Sequence, residues 1–321
     1  VCRVARASLP RTAALLAALA VGPSGCTQVV YYVAIPFVYE EAELPESQVV
    51  RDLAYREDPG ADPVKHRLDL FLPAPGAETA GAPGLGWPLL VFVHGGGWTH
   101  GDKGLRVGGA DVYGNIGRFF AAHGVGTAVV SYRLQPEVGW QDQVDDVERA
   151  VAMLRARVPG WGGDPGAIFL AGHSAGAQLA TWAALAPGAA PVCGLIPISG
   201  AGYDLADEET YLLGASRAYY AKRFANGSRG DAWTQKASVV RLVRPEPPPA
   251  LILYAEDDYP SLRRQAQVLD QALRASGAES RVVVVPDQSH MSIVLTLSRD
   301  DRTAAPAMLE FIRSHARSPR C

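Results

Sequence analysis

The sequence predicts an α/β fold, a mostly parallel central sheet with helices on both faces. Three observations carry this. Uninterrupted apolar runs such as PLLVFV (88–93) and ALILY (250–254) read as strands buried on both sides. Between such runs lie amphipathic stretches with helical spacing. Two early runs have no helix between them, which predicts an antiparallel edge. With 321 residues, 48% hydrophobic and 20% charged, the chain can bury a large core. A net charge of −3 gives no reason to expect nucleic acid as a partner.

The elements follow in order. VVRDLAYRE (49–57) and HRLDLFLP (66–73) read as the two early strands, and the Pro/Gly/Ala-rich segment 73–86 as a surface loop. After PLLVFVHG comes a short helix, NIGRFFAAHG (115–124), stopped by Gly124, then the strand GTAVVSYRL (126–134). Val144, Val147, Val151, Leu154 and Val158 form one apolar stripe, with Asp145, Asp146, Glu148, Arg149 and Arg155 read as the charged remainder of that helix. AIFLAGHS (167–174) is a strand, AGAQLATWAALA (175–186) a helix, and PVCGLIPISG (191–200) and ALILYAED (250–257) are strands. Leu262, Ala266, Leu269 and Leu273 mark a helix, RVVVVPD (281–287) the last strand and AMLEFIRSHA (307–316) the last helix. Residues 203–249 fit no unit of this alternation. Their aromatics, Tyr211, Tyr219, Tyr220, Phe224 and Trp233, predict an insertion over the strand ends.

The N-terminus reads as an export signal. Arg3, Arg6 and Arg11 precede the apolar run TAALLAALAV, and small residues follow. Ser24-Gly25 before Cys26 resembles the lipobox of bacterial lipoproteins, Pro23 departing from the usual aliphatic residue. The resemblance implies a signal peptide over 1–25, a lipidated Cys26 held by a bilayer, a tether over 26–48 and a domain over 49–321. Plain secretion and an uncleaved membrane helix are the alternatives; Pro23, Pro36 and two glycines disfavour the helix. The four cysteines, at 2, 26, 193 and 321, lack metal-ligand spacing, and Cys193 reads as a small buried hydrophobe.

In an open α/β sheet, chemistry gathers beyond the carboxyl ends of the strands. AGHSAGAQ (171–178) holds G-x-S-x-G between a strand and a helix, the context in which that motif presents a nucleophile, here Ser174. A serine hydroxyl needs a base to take its proton. His290 is the histidine placed after a strand C-terminal to Ser174; His173 reads as support for the turn, and His66, His100 and His123 show no matching partner. The base needs a carboxylate, and the strand ending at 257 delivers Glu256, Asp257 and Asp258 together, among which spacing does not choose. The costly triple glycine after PLLVFVH reads as bare backbone for an oxyanion, with amides of Gly96 and Gly97 joined by that of Ala175. His94 and Trp98 read as residues that lock the loop.

HGGGW (94–98), GDK (101–103), YRL (132–134), GGDP (162–165) and GHSAG (172–176) together resemble the esterase/lipase branch of the α/β-hydrolase superfamily, over about residues 60–315. Within it the chain is similar to kynurenine formamidases, prenylcysteine methylesterase-like enzymes and feruloyl-esterase-like bacterial carboxylesterases. The resemblance implies the α/β-hydrolase fold and, from a G-E-x-D pattern matched by Ala255-Glu256-Asp257-Asp258, Asp258 as the acid. Ala255 in place of glycine keeps Asp257 in view. The expected activity is hydrolysis of small to medium acyl or aryl esters without metal or cofactor. An arylformamidase and a non-catalytic scaffold on the same fold are the competing readings.

Overall fold

The computed structural model describes residues 39–76, 81, 84–228, 230–299 and 304–317. The expected signal peptide, Cys26 and the tether up to residue 38 lie outside the described residues. No helix among the described residues is long and apolar enough to cross a membrane.

The chain lays down β1 (Val49–Ala54), β2 (Arg67–Phe71) and β3 (Trp87–Val93), then a small hairpin of β4 (Arg106–Val107) and β5 (Ala110–Asp111). β6 (Gly126–Val130), β7 (Gly163–His173), β8 (Gly194–Ile198), β9 (Ala250–Asp257) and β10 (Ser280–Ser289) complete the strands. Eight of them form one sheet in the order β1-β2-β6-β3-β7-β8-β9-β10. The six from β6 to β10 are mutually parallel, and β1 and β2 form the antiparallel edge. This is the predicted arrangement.

Burial on both faces explains the apolar runs. Every residue of β3 is buried: Leu89, Val91 and Val93 join the core on one face, Leu90 and Phe92 the core on the other. The second core is closed by α1 (Val112–Ala122), through Ile116, Phe119 and Phe120. The first is closed by α2 (Trp140–Arg157) and α3 (Ala175–Leu185). Helix α1 starts three residues before the predicted position, because the Asp111 side chain accepts from the Gly114 amide and caps it. The insertion folds as α4 (Glu208–Leu212), α5 (Arg217–Phe224), α6 (Ala232–Lys236) and a 3-10 turn over Val239–Leu242. The chain ends with α7 (Pro260–Ala275), α8 (Ser292–Leu295) and α9 (Ala304–His315); α9 packs on the second core through Met308 and Ile312.

The part of the expected tether that is described is docked on this body. The Asn115 side chain donates to the Glu40 carbonyl and accepts from the Ala42 amide, and Leu44 packs on the second core.

Three residues depart from expectation. Cys193 is not a free thiol but disulfide-bonded, its partner lying outside the described residues. Asp146, read from sequence as a solvated helix charge, is fully buried beneath β2 and the YRL segment. Arg133 holds it through Nε (2.9 Å), Nη2 (2.7 Å) and the backbone amide (2.9 Å). His66, read as unpartnered, lies 2.9 Å from the same carboxylate through Nε2. The Asp62 amide donates to His66 Nδ1, so Nε2 carries the proton given to Asp146. A carboxylate this deep is stable only with its donors in place.

Removing one member of a buried charge pair leaves the other unpaired. Asp146→Ala should therefore lower the unfolding free energy by about 3–5 kcal/mol in urea denaturation. A loss below about 1 kcal/mol, the range of exposed pairs, would contradict this account.

Candidate active site

Strand β7 delivers Ser174 to the turn before α3. Ser174 sits at φ 55°, ψ −120°, a region that non-glycine residues seldom occupy. Flanking glycines permit it by close approach. A Cβ on Gly172 would collide with the Gly176 carbonyl, and one on Gly176 with the carbonyls of Val93 and His94. The Ser174 amide is tied to the Ile198 carbonyl at 2.9 Å, leaving its side chain to point out of the sheet.

Asp258 follows β9 and His290 follows β10. Their pairing depends on an irregularity in the last ladder. Register shifts between Val285 and Ser289, with Asp287 at φ 57°, which brings Ser289 opposite Asp257 and His290 beside Asp258. The His290 Nδ1–H donates to Asp258 Oδ1 at 3.0 Å. The Ser174 hydroxyl donates to His290 Nε2 at 3.1 Å. Among the three acidic candidates, Glu256 and Asp257 are exposed, and Glu256 accepts from the Asp287 amide instead. The geometry thus joins Asp258 to His290.

Burial of Asp258 favours its neutral form, but the hydrogen bond and charge of His290, the adjacent Ser199 hydroxyl and the Tyr259 amide outweigh it. Its carboxyl is held below the usual range. Ser199, fully buried at φ 47°, stands beside Asp258, although neither its Oγ nor Asp258 Oδ2 closes a hydrogen bond of ordinary geometry. His173 donates from Nε2 to the His290 carbonyl at 2.9 Å and so holds the backbone of the base. Burial, reinforced by the neighbouring His290 ring, pushes the His173 pKa down to about 3.

The glycine loop shows why it carries no side chains. A Cβ on Gly96, at φ 125°, would collide with the His100 carbonyl, and one on Gly97, at φ 59°, would meet the Tyr219 hydroxyl at 2.5 Å. Its carbonyls are each tied away. That of His94 accepts from the Tyr132 hydroxyl (3.1 Å), and that of Gly95 from His94 Nδ1 (2.6 Å). That of Gly96 accepts from the His100 amide (3.0 Å), and that of Gly97 from Arg223 Nε (2.9 Å). His94 is stacked on Tyr132, and burial pushes its pKa down to about 4. Trp98 is locked through Nε1 to Gln178 Oε1 at 2.9 Å. The amides of Gly96 and Gly97 find no acceptor among the described residues, and the Ala175 amide opens α3.

The cleft here measures about 260 Å³ and is lined by Gly97, Ser174 and His290 with Tyr219, Tyr220 and Tyr259. Of the insertion aromatics, Tyr219 and Tyr220 reach it, while Phe224 and Trp233 are buried in the core. Two contributors went unread in the sequence. Tyr259 directly follows the acid, and Arg223 carried no signal beyond a helical basic residue. Chemically, the site offers a hydroxyl, a base and an oriented carboxylate, and the amides of Gly96 and Gly97 are free to donate to an anion.

A family model described as the alpha/beta hydrolase fold matches residues 90–294 of this chain. The chain belongs to the α/β-hydrolase fold family. It is similar to the esterase LipQ of Mycobacterium tuberculosis, 29% identical over 72% of this chain and 56% of that protein. It is also similar to the isoprenylcysteine α-carbonyl methylesterase of Arabidopsis thaliana, 28% identical over 77% of this chain and 58% of that protein. The chain therefore spans a little over half the length of these relatives. Esterase B from Lactobacillus rhamnosis superimposes with a TM-score of 0.70 at 20% identity, covering 95% of this chain and 96% of that one. This likeness bears on the fold.

His94 and His173 are neutral in the folded protein well below the ordinary histidine value of 6.5. The unfolded chain binds these protons more readily, so stability is complete above pH 6.5 and falls as pH drops toward about 4. Each proton contributes about 1.4 kcal/mol per pH unit in that window. Thermal midpoints measured from pH 7 to 4.5 should drop steadily, with uptake of roughly two protons on unfolding at the acid end. A flat profile would contradict the buried, neutral state of both rings.

Proposed function

We propose that this protein is a serine carboxylesterase. The observation that carries the reading is the hydrogen-bonded chain from Ser174 through His290 to Asp258, set beside amides without acceptors. Ser174 Oγ attacks the ester carbonyl while His290 Nε2 takes its proton. Asp258 keeps the proton on Nδ1 and stabilises the imidazolium that forms. The carbonyl oxygen becomes an anion and is held by the amides of Gly96, Gly97 and Ala175. His290 returns its proton to the departing alkoxide, leaving an acyl-serine. Water, deprotonated by the same ring, then attacks the acyl carbon, and the acid leaves as Ser174 regains its proton.

A cleft of about 260 Å³ walled by tyrosines suits small to medium acyl or aryl esters. The same walls fit an aryl formamide, so turnover of p-nitrophenyl acetate and N-formylkynurenine, measured side by side, separates esterase from formamidase.

We also propose that the chain is exported and held at a membrane through a lipidated Cys26. The basic and apolar leader supports this, as does the disulfide of Cys193, since such bonds persist in oxidising compartments. Acyl-chain labelling that is lost in Cys26→Ser tests the anchor.

Ser174→Ala should lower kcat on p-nitrophenyl acetate by roughly 10⁶, as loss of the nucleophile does in units of this kind. A fall of only tenfold would mean that another group attacks.

A further inference from the structure

The carbonyls of the glycine loop are tied by neighbours in the α/β body, with one exception. His94, Gly95 and Gly96 are held by Tyr132, by His94 itself and by the His100 amide. The Gly97 carbonyl is held from the insertion, by Arg223 Nε of α5 at 2.9 Å. The guanidinium is itself fixed by the α5 residue below it. It lies 3.4 Å from the centroid of the Tyr219 ring and donates from Nη1 to the Tyr219 carbonyl at 3.0 Å. Two other arginines at the insertion are paired with carboxylates, Arg217 with Glu208 and Arg264 with Asp207, whereas Arg244 donates to the Ala186 carbonyl. Among the described residues Arg223 has no carboxylate within ion-pair distance; its hydrogen bonds go to backbone carbonyls.

The peptide that Arg223 holds is under tension. Trp98, its second residue, sits at φ 65°, which a bulky residue rarely adopts. Its side chain is wedged under α5, with ring centroids 4.9 Å from Phe224 and 6.1 Å from Tyr220. Relaxation of that strain would rotate the Gly97–Trp98 peptide. A carbonyl released from Arg223 could then turn toward the cleft, where it would oppose a developing negative charge.

We infer that Arg223 is a positioning residue for the oxyanion loop. By holding the Gly97 carbonyl away from the cleft, it makes the donor geometry at Gly96 and Gly97 depend on the seating of the insertion helix. The inference rests on the esterase reading above and names a control on that same site.

The test uses the full chain with Arg223→Met, which keeps an unbranched stem against Tyr219 but removes the donors, and Arg223→Lys, which restores a donor. The readouts are kcat and KM on p-nitrophenyl acetate, and Ki for a small trifluoromethyl ketone, which adds to serine as an oxyanion. Removing an oxyanion donor outright typically costs 10²–10³, so loosening the loop should lower kcat about tenfold in Arg223→Met, with KM within about twofold. The ketone should bind more weakly by the same factor as kcat/KM falls, and Arg223→Lys should recover part of both. A purely structural role would lower the thermal midpoint in both variants and leave ketone affinity and kcat of the folded fraction unchanged, which would overturn the inference. Wild-type protein without ester turnover would sink the esterase reading and the inference together. Active wild type with unaltered Arg223→Met would sink the inference alone.

Discussion

A contact of 3.1 Å between the Ser174 hydroxyl and the His290 ring joins residues 116 positions apart, and the rest of the site is arranged around it. No local motif can make such a contact. It requires β7, β8, β9 and β10 to run side by side in parallel, so that the loops after three of them open on the same edge. The slip of register near the end of β10 completes it by lifting His290 to the level of Asp258. A regular ladder would have placed that residue elsewhere along the edge.

The site concentrates what folding otherwise avoids. Ser174, Trp98 and Ser199 adopt left-handed backbone, and His94 Nε2, Ser199 Oγ and Asp258 Oδ2 are buried without a geometric partner. Each costs stability, and each lies at or next to the chemistry. Such a set persists only because the surroundings over-determine it. The body supplies two packed cores and the Asp146 cluster beneath the first strands, and the insertion supplies the aromatic packing on Trp98.

Much of this was legible in the sequence, for identifiable reasons. Strands buried on both faces have no polar side to show, so β3 and β9 announce themselves as apolar runs. The turn at Ser174 and the glycine loop need small residues at fixed positions, so GHSAG and HGGGW are visible in one dimension. Asp258 was legible through resemblance and not through spacing, because Glu256, Asp257 and Asp258 leave the same strand and the contact with His290 is made in space. Asp146 was misread for a related reason. It adjoins Val147 on the helix and its partners Arg133 and His66 come from other elements, so nothing local separates it from a solvated charge. Arg223 was silent because its target is a carbonyl, which has no signature in sequence.

The central claim is that the hydroxyl of Ser174 is activated by His290. Reaction with an alkyl fluorophosphonate, followed by peptide mass spectrometry, tests it most directly. The account predicts a single adduct on the peptide carrying Ser174 and labelling slowed by several orders of magnitude in His290→Ala with the fold retained. An adduct on another residue, or labelling at an unchanged rate in His290→Ala, would contradict it.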